Sequence, residues 1–205
     1  MPTSPLFRPA KFAFAVLAAS SLAACGINSV PTAEENAKAK WGDVQAAFQE
    51  RANLVPNLAA VAKGAAEQEK QILTDVIEAR AKATSIQVSA DDLTDPAKMA
   101  QFQAAQNQLS SSLAGLGRLL VNVERYPELK SITNYQMLQS QLEGQENRIR
   151  IAIRDYNGAV QQYNTTIRTF PDAIGAKIFY GAKPMTSYQA ATPGADVAPS
   201  LEGKI

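Results

Sequence analysis

"RDYNGAVQQYNTTIRTFP", residues 154–171, is the stretch that decides the fold. A Tyr-Asn pair at 156–157 returns at 163–164, and seven residues correspond to two turns of a supercoiled helix. Both tyrosines therefore fall on one apolar face, with hydroxyl groups that can reach a polar partner. The asparagine beside each tyrosine either fixes the register of the helix or contributes to a binding site. The spacing predicts a long helix with a core-facing seam.

Apolar residues spaced three and four apart extend this helical pattern through most of the chain from Thr32 onward. Thr32 followed by Glu35 has the form of a capping box, so a helix is predicted to begin at Thr32. Pro56 interrupts the apolar run, and a proline inside a helix removes a hydrogen bond and clashes with the preceding turn. Two helices are therefore predicted, over about 33–52 and 54–84, with a single kinked helix as the alternative.

Two further long helices follow in the sequence. Asp95 and Pro96 are a typical cap and first helical residue, and this helix should end at Tyr126 because a proline follows. The last long helix covers roughly 129–169, and "DAIGAKIFY" (172–180) adds a short helical piece. No segment alternates apolar and polar residues for long enough to predict a strand. The sequence predicts an all-α fold, an elongated antiparallel helical bundle of three to four long helices.

The two ends of the chain differ in composition from the middle. The first eleven residues carry Arg8 and Lys11 and no acid, and an apolar run over 12–22 follows, which is typical of a secretory signal. This run is about half of the ~20 residues that a membrane-spanning helix needs. At the other end, residues 181–205 contain three prolines and three glycines and are predicted to form a disordered tail.

The stretch "LAAC" at 22–25 contains the only cysteine of the chain and resembles the bacterial lipobox. That resemblance implies cleavage before Cys25 and attachment of fatty acids to its thiol and its new amino group. Two or more acyl chains hold a protein stably at a bilayer, since each buried methylene contributes about 0.8 kcal/mol. The alternatives are a short uncleaved anchor or an ordinary signal peptide, with Cys25 incidental.

This interpretation divides the chain and gives it a location. The predicted parts are a signal peptide (1–24), a tether (25–31), a helical bundle (32–180) and the tail (181–205). The residue after Cys25 is Gly26, whereas an Asp there would retain such a lipoprotein at the inner membrane of many Gram-negative bacteria. We therefore expect attachment to the outer membrane rather than the inner one, with the body in the periplasm.

Charge and composition exclude several classes of function. The chain has 20 basic and 19 acidic residues and a formal net charge of +1, without a basic cluster, so nucleic-acid binding is not expected. The chain has no histidine, which removes the usual general base and the commonest metal ligand. The carboxylates form no convincing ligand set for a metal ion. We expect no catalytic residue, no metal and no cofactor, and interpret the protein as a non-enzyme.

Five blocks, taken in order, resemble those of the LemA family. They are "RANLVPNLAAVAKG" (51–64), "EARAKA" (78–83), "YPELK" (126–130), "LEGQENRI" (142–149) and "RDYNGAVQQYNTTIRTFP" (154–171). The resemblance covers roughly residues 30–188 and implies a long antiparallel bundle, usually of four helices, in a membrane-associated family without an established molecular function. The chain departs from the family at Glu50-Arg51, Asn53 and Gln68, where a basic pair, an Asp and a His are usual.

Amides, arginines and tyrosines are the candidates for a site that binds a ligand or sets the register of the helices. They are Arg51, Asn53, Pro56, Asn57, Arg154, Tyr156, Asn157, Tyr163 and Asn164. The register role is favoured, because amides beside a core seam and arginines with packed stems usually serve packing. Two functions stay open. The first is a non-catalytic scaffold or protein-interaction module, held at the membrane through Cys25, with an envelope protein as partner. The second is a binding module for a small or polymeric envelope ligand near the Pro56 kink.

Overall fold

The computed structural model describes residues 7–62, 70–121 and 133–189. Its helices are α1 (Phe7–Ala62), α2 (Lys70–Ser85), α3 (Pro96–Val121), α4 (Thr133–Thr166) and the short α5 (Asp172–Gly175), with a 3₁₀ turn (Ala90–Thr94) before α3 and a π-helical turn (Ala176–Tyr180) after α5. These ranges contain no strand, so the predicted all-α class is confirmed. Nowhere in them does a helix carry an apolar stretch long enough to cross a bilayer.

α1 passes through both positions at which the sequence predicted a helix boundary. The predicted start at Thr32 is wrong: the Thr32 hydroxyl donates to the Asn28 carbonyl, 2.6 Å away and one turn earlier, and so does not cap a helix end. The predicted tether, 25–31, continues α1 as helix, and Val30 is completely buried in the core. The body of the bundle therefore begins before Thr32.

The predicted division of this helix at Pro56 is also wrong, because α1 continues to Ala62. Pro56 has no N–H to donate to the Ala52 carbonyl, which is its acceptor in a regular helix. The Nε of Arg80 on α2 donates to that carbonyl instead, at 2.8 Å. A side chain from the neighbouring helix thus supplies the hydrogen bond that the proline removes.

The helix predicted over 54–84 is wrong, because α1 ends at Ala62 and α2, which begins at Lys70, packs beside it. Arg80 of α2 bonds to Ala52 of α1, whereas Leu73, earlier in α2, lines a groove with Ala59, later in α1, so the two helices run antiparallel. The apolar residues predicted to line one helix are divided between α1 and α2, and the buried ones pack against each other between the two helices. This second core cluster contains Val55, Leu58, Val76, Ala79, Ala83, Leu109, Leu113 and Leu116, the last three from α3.

The first core cluster is larger and lies around Trp41, where α1 and α4 pack antiparallel. The Trp41 ring lies 5.1 Å from Tyr156 of α4 and 5.4 Å from Phe102 of α3, measured between centroids. Its Nε1 donates to the carbonyl of Val88, 2.8 Å away, in the connection between α2 and α3. Further along α1, Arg51 contacts Glu146 of α4, which confirms the antiparallel order.

The start of α3 agrees with the sequence prediction. The carboxylate of Asp95 accepts from the backbone N–H of Ala97 at 2.9 Å and of Lys98 at 3.3 Å, as an N-cap does. The predicted end of this helix at Tyr126 lies outside the described residues. α4 ends at Thr166, a few residues before the predicted end, and the predicted short helical piece is present as α5 and the π-helical turn.

The predicted disordered tail is wrong for its first part. Residues 182–189, here called the C-terminal strap, lie on the bundle, and Met185 and Tyr188 are each only 6% exposed. The prediction of disorder rested on the composition of all 25 residues from 181 to 205, and this average gave no weight to Met185 and Tyr188, which the bundle buries. Residues 190–205 lie outside the described residues.

Candidate functional site: an asparagine clamp on the C-terminal strap

The chain turns back on itself at Gly181 and returns along α4. Gly181 has φ of 55° and follows the π-helical turn, and this left-handed conformation costs glycine little because it has no Cβ. The strap forms no regular secondary structure. Its backbone N–H and C=O groups therefore need partners from elsewhere in the molecule.

Asn157 and Asn164 on α4 supply those partners, each through both ends of its amide. The Asn157 Nδ2 donates to the Tyr188 carbonyl, and the Tyr188 N–H donates to the Asn157 Oδ1, both at 2.8 Å. Asn164 makes the same pair of bonds with the backbone of Met185, both at 2.9 Å. We call these two residues the asparagine clamp. Because the clamp bonds only to backbone groups, it constrains the path of the strap and does not select its side chains.

The spacing of the two asparagines matches the geometry of an extended chain. Seven residues of α-helix rise about 10.5 Å. Three residues of extended chain, the separation between Met185 and Tyr188, rise about 10 Å. Two amides seven residues apart on a helix can therefore bond to two backbone units that are three residues apart in a neighbouring extended segment. The repeat of the Tyr-Asn pair has this physical explanation.

The tyrosine of each pair has a separate task. Tyr156 is completely buried, and its hydroxyl donates to the Thr186 carbonyl of the strap at 2.7 Å. Tyr163 is 2% exposed and packs in the first core cluster. The Thr186 N–H donates to the Leu93 carbonyl at 2.8 Å, so the strap is also fastened to the 3₁₀ turn. The prediction that both tyrosines face the core is confirmed.

Two side chains anchor the strap in the core. The Tyr188 ring lies tilted against that of Phe48, 5.8 Å between centroids, and contacts Phe102 edge-on at 6.5 Å. Met185 is buried in the same cluster. Burial raises the pKa of Tyr188 to about 12; Arg51 nearby lowers this pKa and Glu146 raises it. Burial also raises the pKa values of Tyr156 and Tyr163 above their ordinary range.

Arg51 forms a second polar feature, next to Tyr188 and between the two core clusters. It is 1% exposed and lies over the Phe48 ring, 5.0 Å from the centroid. Its guanidinium donates to the Ser110 hydroxyl at 2.7 Å, to Glu146 at 2.9 Å and to the Gln106 side-chain oxygen at 2.9 Å. These four residues are here called the Arg51 layer. It joins α1, α3 and α4 at one level of the bundle.

The Arg51 layer satisfies most of its own polar groups. Gln106, 4% exposed, donates through its Nε2 to the Ala83 carbonyl on α2 at 3.2 Å. The Nε of Arg51 is buried without a hydrogen-bond partner among the described residues. Three-way bonding of a buried guanidinium fixes the register of the helices that supply its partners. These contacts agree with the register role that the sequence favoured for Arg51, which stays a prediction.

The remaining predicted site residues lie apart from these two features. Asn53, Pro56 and Asn57 are exposed on α1, and Asn53 accepts from the neighbouring Gln49 at 3.0 Å. Arg154 is exposed and pairs with Asp155, at 3.0 Å. The predicted residues thus fall into separate groups: Asn157 and Asn164 in the clamp, Arg51 in the buried layer, and the exposed residues on the surface. They do not form one pocket near Pro56.

Sequence reasoning missed the residues that the clamp holds. Met185 and Tyr188 stand in a stretch rich in proline and glycine, and their only signal was a methionine and an aromatic residue three positions apart. Gln106 and Ser110 carried no signal, because nothing in the sequence shows that they face a buried arginine. Their roles depend on which helices meet.

The fold and the clamp define a class of protein: an antiparallel α-helical bundle closed along one side by a strap that side-chain amides hold. The profile of the LemA family matches residues 40–202, most of the chain, and the protein belongs to the LemA family. Its curated relatives include the magnetosome proteins MamQ 1 and MamQ 2 of Paramagnetospirillum magneticum. Each is 25% identical over 158 residues, an alignment that covers 70% of this chain and 58% of the relative. The chain thus spans less than two thirds of the length of these relatives.

Proposed function

We propose that this protein is a membrane-anchored lipoprotein of the bacterial cell envelope that acts as a non-catalytic scaffold or protein-interaction module. The observation that carries the proposal is the asparagine clamp. The amides of Asn157 and Asn164 were among the candidates for binding a ligand, and both bond to the backbone of the chain's own strap. Residues used in this way build a rod with a defined shape, which is what a scaffold requires.

The lipid anchor rests on the sequence around Cys25. A charged start, a short apolar run and the lipobox-like "LAAC" support cleavage before Cys25 and its modification by fatty acids such as palmitate. The acyl chains would hold the protein without help from charge, because the net charge is close to zero. Gly26 at the next position supports the outer membrane, with the bundle in the periplasm.

Metabolic labelling with an alkyne fatty acid tests the anchor. The wild-type protein should take up the label and sediment with membranes, and intact mass should show a chain that begins at Cys25. The Cys25→Ala variant should take up no label and keep its precursor mass. A labelled wild type at the precursor mass, or an unlabelled mature one, would show that the anchor is wrong.

Photocrosslinking in intact cells tests the scaffold role. Exposed apolar residues on two different helices, Ile77 (54% exposed) on α2 and Ile151 (42% exposed) on α4, are suitable positions for a photoreactive amino acid. A scaffold should give a crosslink to the same envelope protein in repeated experiments from at least one position. Crosslinks that vary at random between repeats would count against an interaction module.

A binding module for a small or polymeric envelope ligand is the alternative. It has less support, because the Asn, Arg and Tyr residues that it would use do not converge near Pro56. A ligand present at 100 times its dissociation constant should stabilise the fold by about 2.7 kcal/mol. Thermal unfolding with envelope glycans and metabolites therefore decides between the two, and a shift that Asn57→Ala abolishes would favour the alternative.

A further inference from the structure

The end of the bundle formed by α5 and the π-helical turn exposes a group of large apolar side chains. They are Phe170 (76% exposed), Ile174 (52%), Ile178 (68%), Phe179 (67%) and Tyr180 (42%), here called the end patch. Of the eight large hydrophobic residues that are exposed in the described part of the chain, five belong to it. Isolated exposed apolar residues are ordinary, but a cluster of this kind marks a surface that binds something apolar.

The end patch has a regular arrangement. Ile174 and Ile178 lie four residues apart in the segment formed by α5 and the π-helical turn, which places them on one side of it, and Phe170 lies in the turn that leads into this segment. The interior side of the same segment is buried through Gly175 and Ala176. The segment is therefore amphipathic, with its apolar outer side directed away from the bundle.

The position of the end patch relates it to the proposed lipid anchor. The Asp172 carboxylate accepts from the Ser29 hydroxyl at 2.7 Å, which fixes α5 against α1. Cys25 precedes Ser29 by one helical turn, and one turn of α-helix rises about 5.4 Å. The fatty acids of a lipidated Cys25 would thus start beside the end patch.

The charges around the end patch are also favourable for a bilayer. Arg168, Lys177 and Lys183 are exposed in this part of the chain, whereas the one acidic residue between them, Asp172, bonds to Ser29. Basic side chains beside exposed aromatic and aliphatic residues are typical of surfaces that lie in a membrane interface. Anionic lipid headgroups attract such basic residues.

From these observations we infer that the end patch inserts into the membrane surface and sets the orientation of the bundle on the bilayer. The inference rests on the proposed lipid anchor, which brings this end of the bundle to the membrane. Interfacial segments of this type bury their apolar side about 5–10 Å into the boundary between headgroups and acyl chains. The acyl chains give attachment, and the end patch gives the angle at which α1 leaves the bilayer.

Nitroxide labels on the full lipidated protein test the inference. Once Cys25 carries lipid, Ile178→Cys supplies the only reactive thiol in one variant, and Ile77→Cys, at an exposed apolar residue of α2, supplies it in the matched control. Both variants are reconstituted in vesicles of phosphatidylethanolamine and phosphatidylglycerol. The label at 178 should become several-fold less accessible to a water-soluble nickel chelate and more accessible to oxygen. The label at 77 should stay accessible to the chelate.

The possible results separate this inference from the proposed anchor. If the protein is lipidated and bound but both labels stay accessible to the chelate, the inference is wrong and the anchor stands. If intact mass shows unmodified Cys25 and the protein does not bind vesicles, both are wrong. If unmodified protein still binds, and label 178 is protected after the signal of labelled Cys25, measured in protein without Ile178→Cys, is subtracted, the end patch is supported and the lipid anchor fails. Protection of label 178 before vesicles are added, with coupling between labels, would assign the end patch to a second copy of the chain and overturn the inference.

Discussion

Asn157 contributes a donor and an acceptor to the strap, so a single substitution can remove one of them. Asn157→Asp keeps the acceptor for the Tyr188 N–H but cannot donate to the Tyr188 carbonyl. An unsatisfied buried polar group costs about 1–3 kcal/mol, and we expect the free energy of unfolding to fall by that amount. Urea denaturation measures the change, and hydrogen exchange at the Tyr188 amide should become faster.

Asn147, also on α4, is the matched control. It is exposed and accepts from Arg150 within the same helix, at 3.3 Å. Asn147→Asp should change the free energy of unfolding by less than about 0.5 kcal/mol, as surface substitutions usually do. Equal effects of the two substitutions would show that the clamp does not stabilise the strap.

Ionisation of Tyr188 should make the attachment of the strap sensitive to alkaline pH. Its pKa is about 12 in the folded protein against an ordinary value of 10.0, because burial disfavours the charged phenolate. A pKa raised by folding contributes stability that is fully present below pH 10 and is lost as the pH rises from 10 to 12. The strap should therefore detach in this range, together with a rise in tyrosinate absorbance.

Tyr188→Phe identifies the group responsible for that transition. The variant keeps the ring that packs on Phe48 and Phe102 but cannot ionise. Proteolysis within the strap, followed between pH 9 and pH 12, should increase less steeply in the variant than in the wild type. The remaining increase would come from Tyr156, whose pKa is raised by burial as well. Identical profiles would rule out Tyr188 as the titrating group.

At the scale of elements, α1 and α2 are joined by the hydrogen bond from Arg80 to the Ala52 carbonyl. This carbonyl lacks its usual helical donor because residue 56 is a proline. Arg80→Ala removes the donor to the Ala52 carbonyl, and Pro56 has no N–H to replace it. We expect a loss of about 1–3 kcal/mol in the free energy of unfolding. In a Pro56→Ala background, the alanine N–H can bond to Ala52, so Arg80→Ala should cost less.

A double-mutant cycle measures this coupling. Residues that share a partner typically show interaction energies of 0.5–3 kcal/mol. Urea denaturation of the wild type, both single variants and the double variant gives the value. Arg154→Ala, at an exposed arginine, is the control and should show no dependence on residue 56. Additive effects of Arg80→Ala and Pro56→Ala would mean that the two residues act independently.

Several elements followed from the sequence because their signals are local. The cap at Asp95, the helical period of α3 and α4 and the short piece after Pro171 depend on residues that are neighbours in the chain. The antiparallel pairing of α1 with α2 did not follow, because an apolar seam has the same spacing whether one helix carries it or two antiparallel helices share it. The path of α1 through Pro56 depended on Arg80, which lies 24 residues further along.

At the scale of the whole molecule, the length of α1 determines how far the bundle reaches. After the proposed cleavage α1 would run from Cys25 to Ala62 and extend about 57 Å. Ile77 lies level with Pro56 across the α1–α2 groove, and the 31 residues from Cys25 to Pro56 rise about 46 Å. A bundle anchored at Cys25 and oriented by the end patch should hold Ile77 at roughly that distance from the bilayer.

Energy transfer to an acceptor lipid tests this orientation. A donor dye at Ile77→Cys in lipidated, vesicle-bound protein should show weak transfer to acceptors in the headgroup layer, and a donor at Ile178→Cys should show strong transfer. Ile178→Ser combined with Phe179→Ser should leave the protein bound while transfer from position 77 rises, because the bundle can then tilt. Strong transfer from position 77 in the protein with an intact end patch would mean that the bundle lies flat.

The sequence by itself determined the all-α class, the family, the core face of the last long helix and the start of α3, since periodicity and caps act over one or two turns. Only the tertiary structure decided what the Tyr-Asn repeat binds. The partners of Asn157 and Asn164 are backbone groups, and backbone groups are the same in every residue. No pattern of side chains could therefore show that Met185 and Tyr188 return to α4. That contact exists because the folded bundle leaves a place where both can be buried.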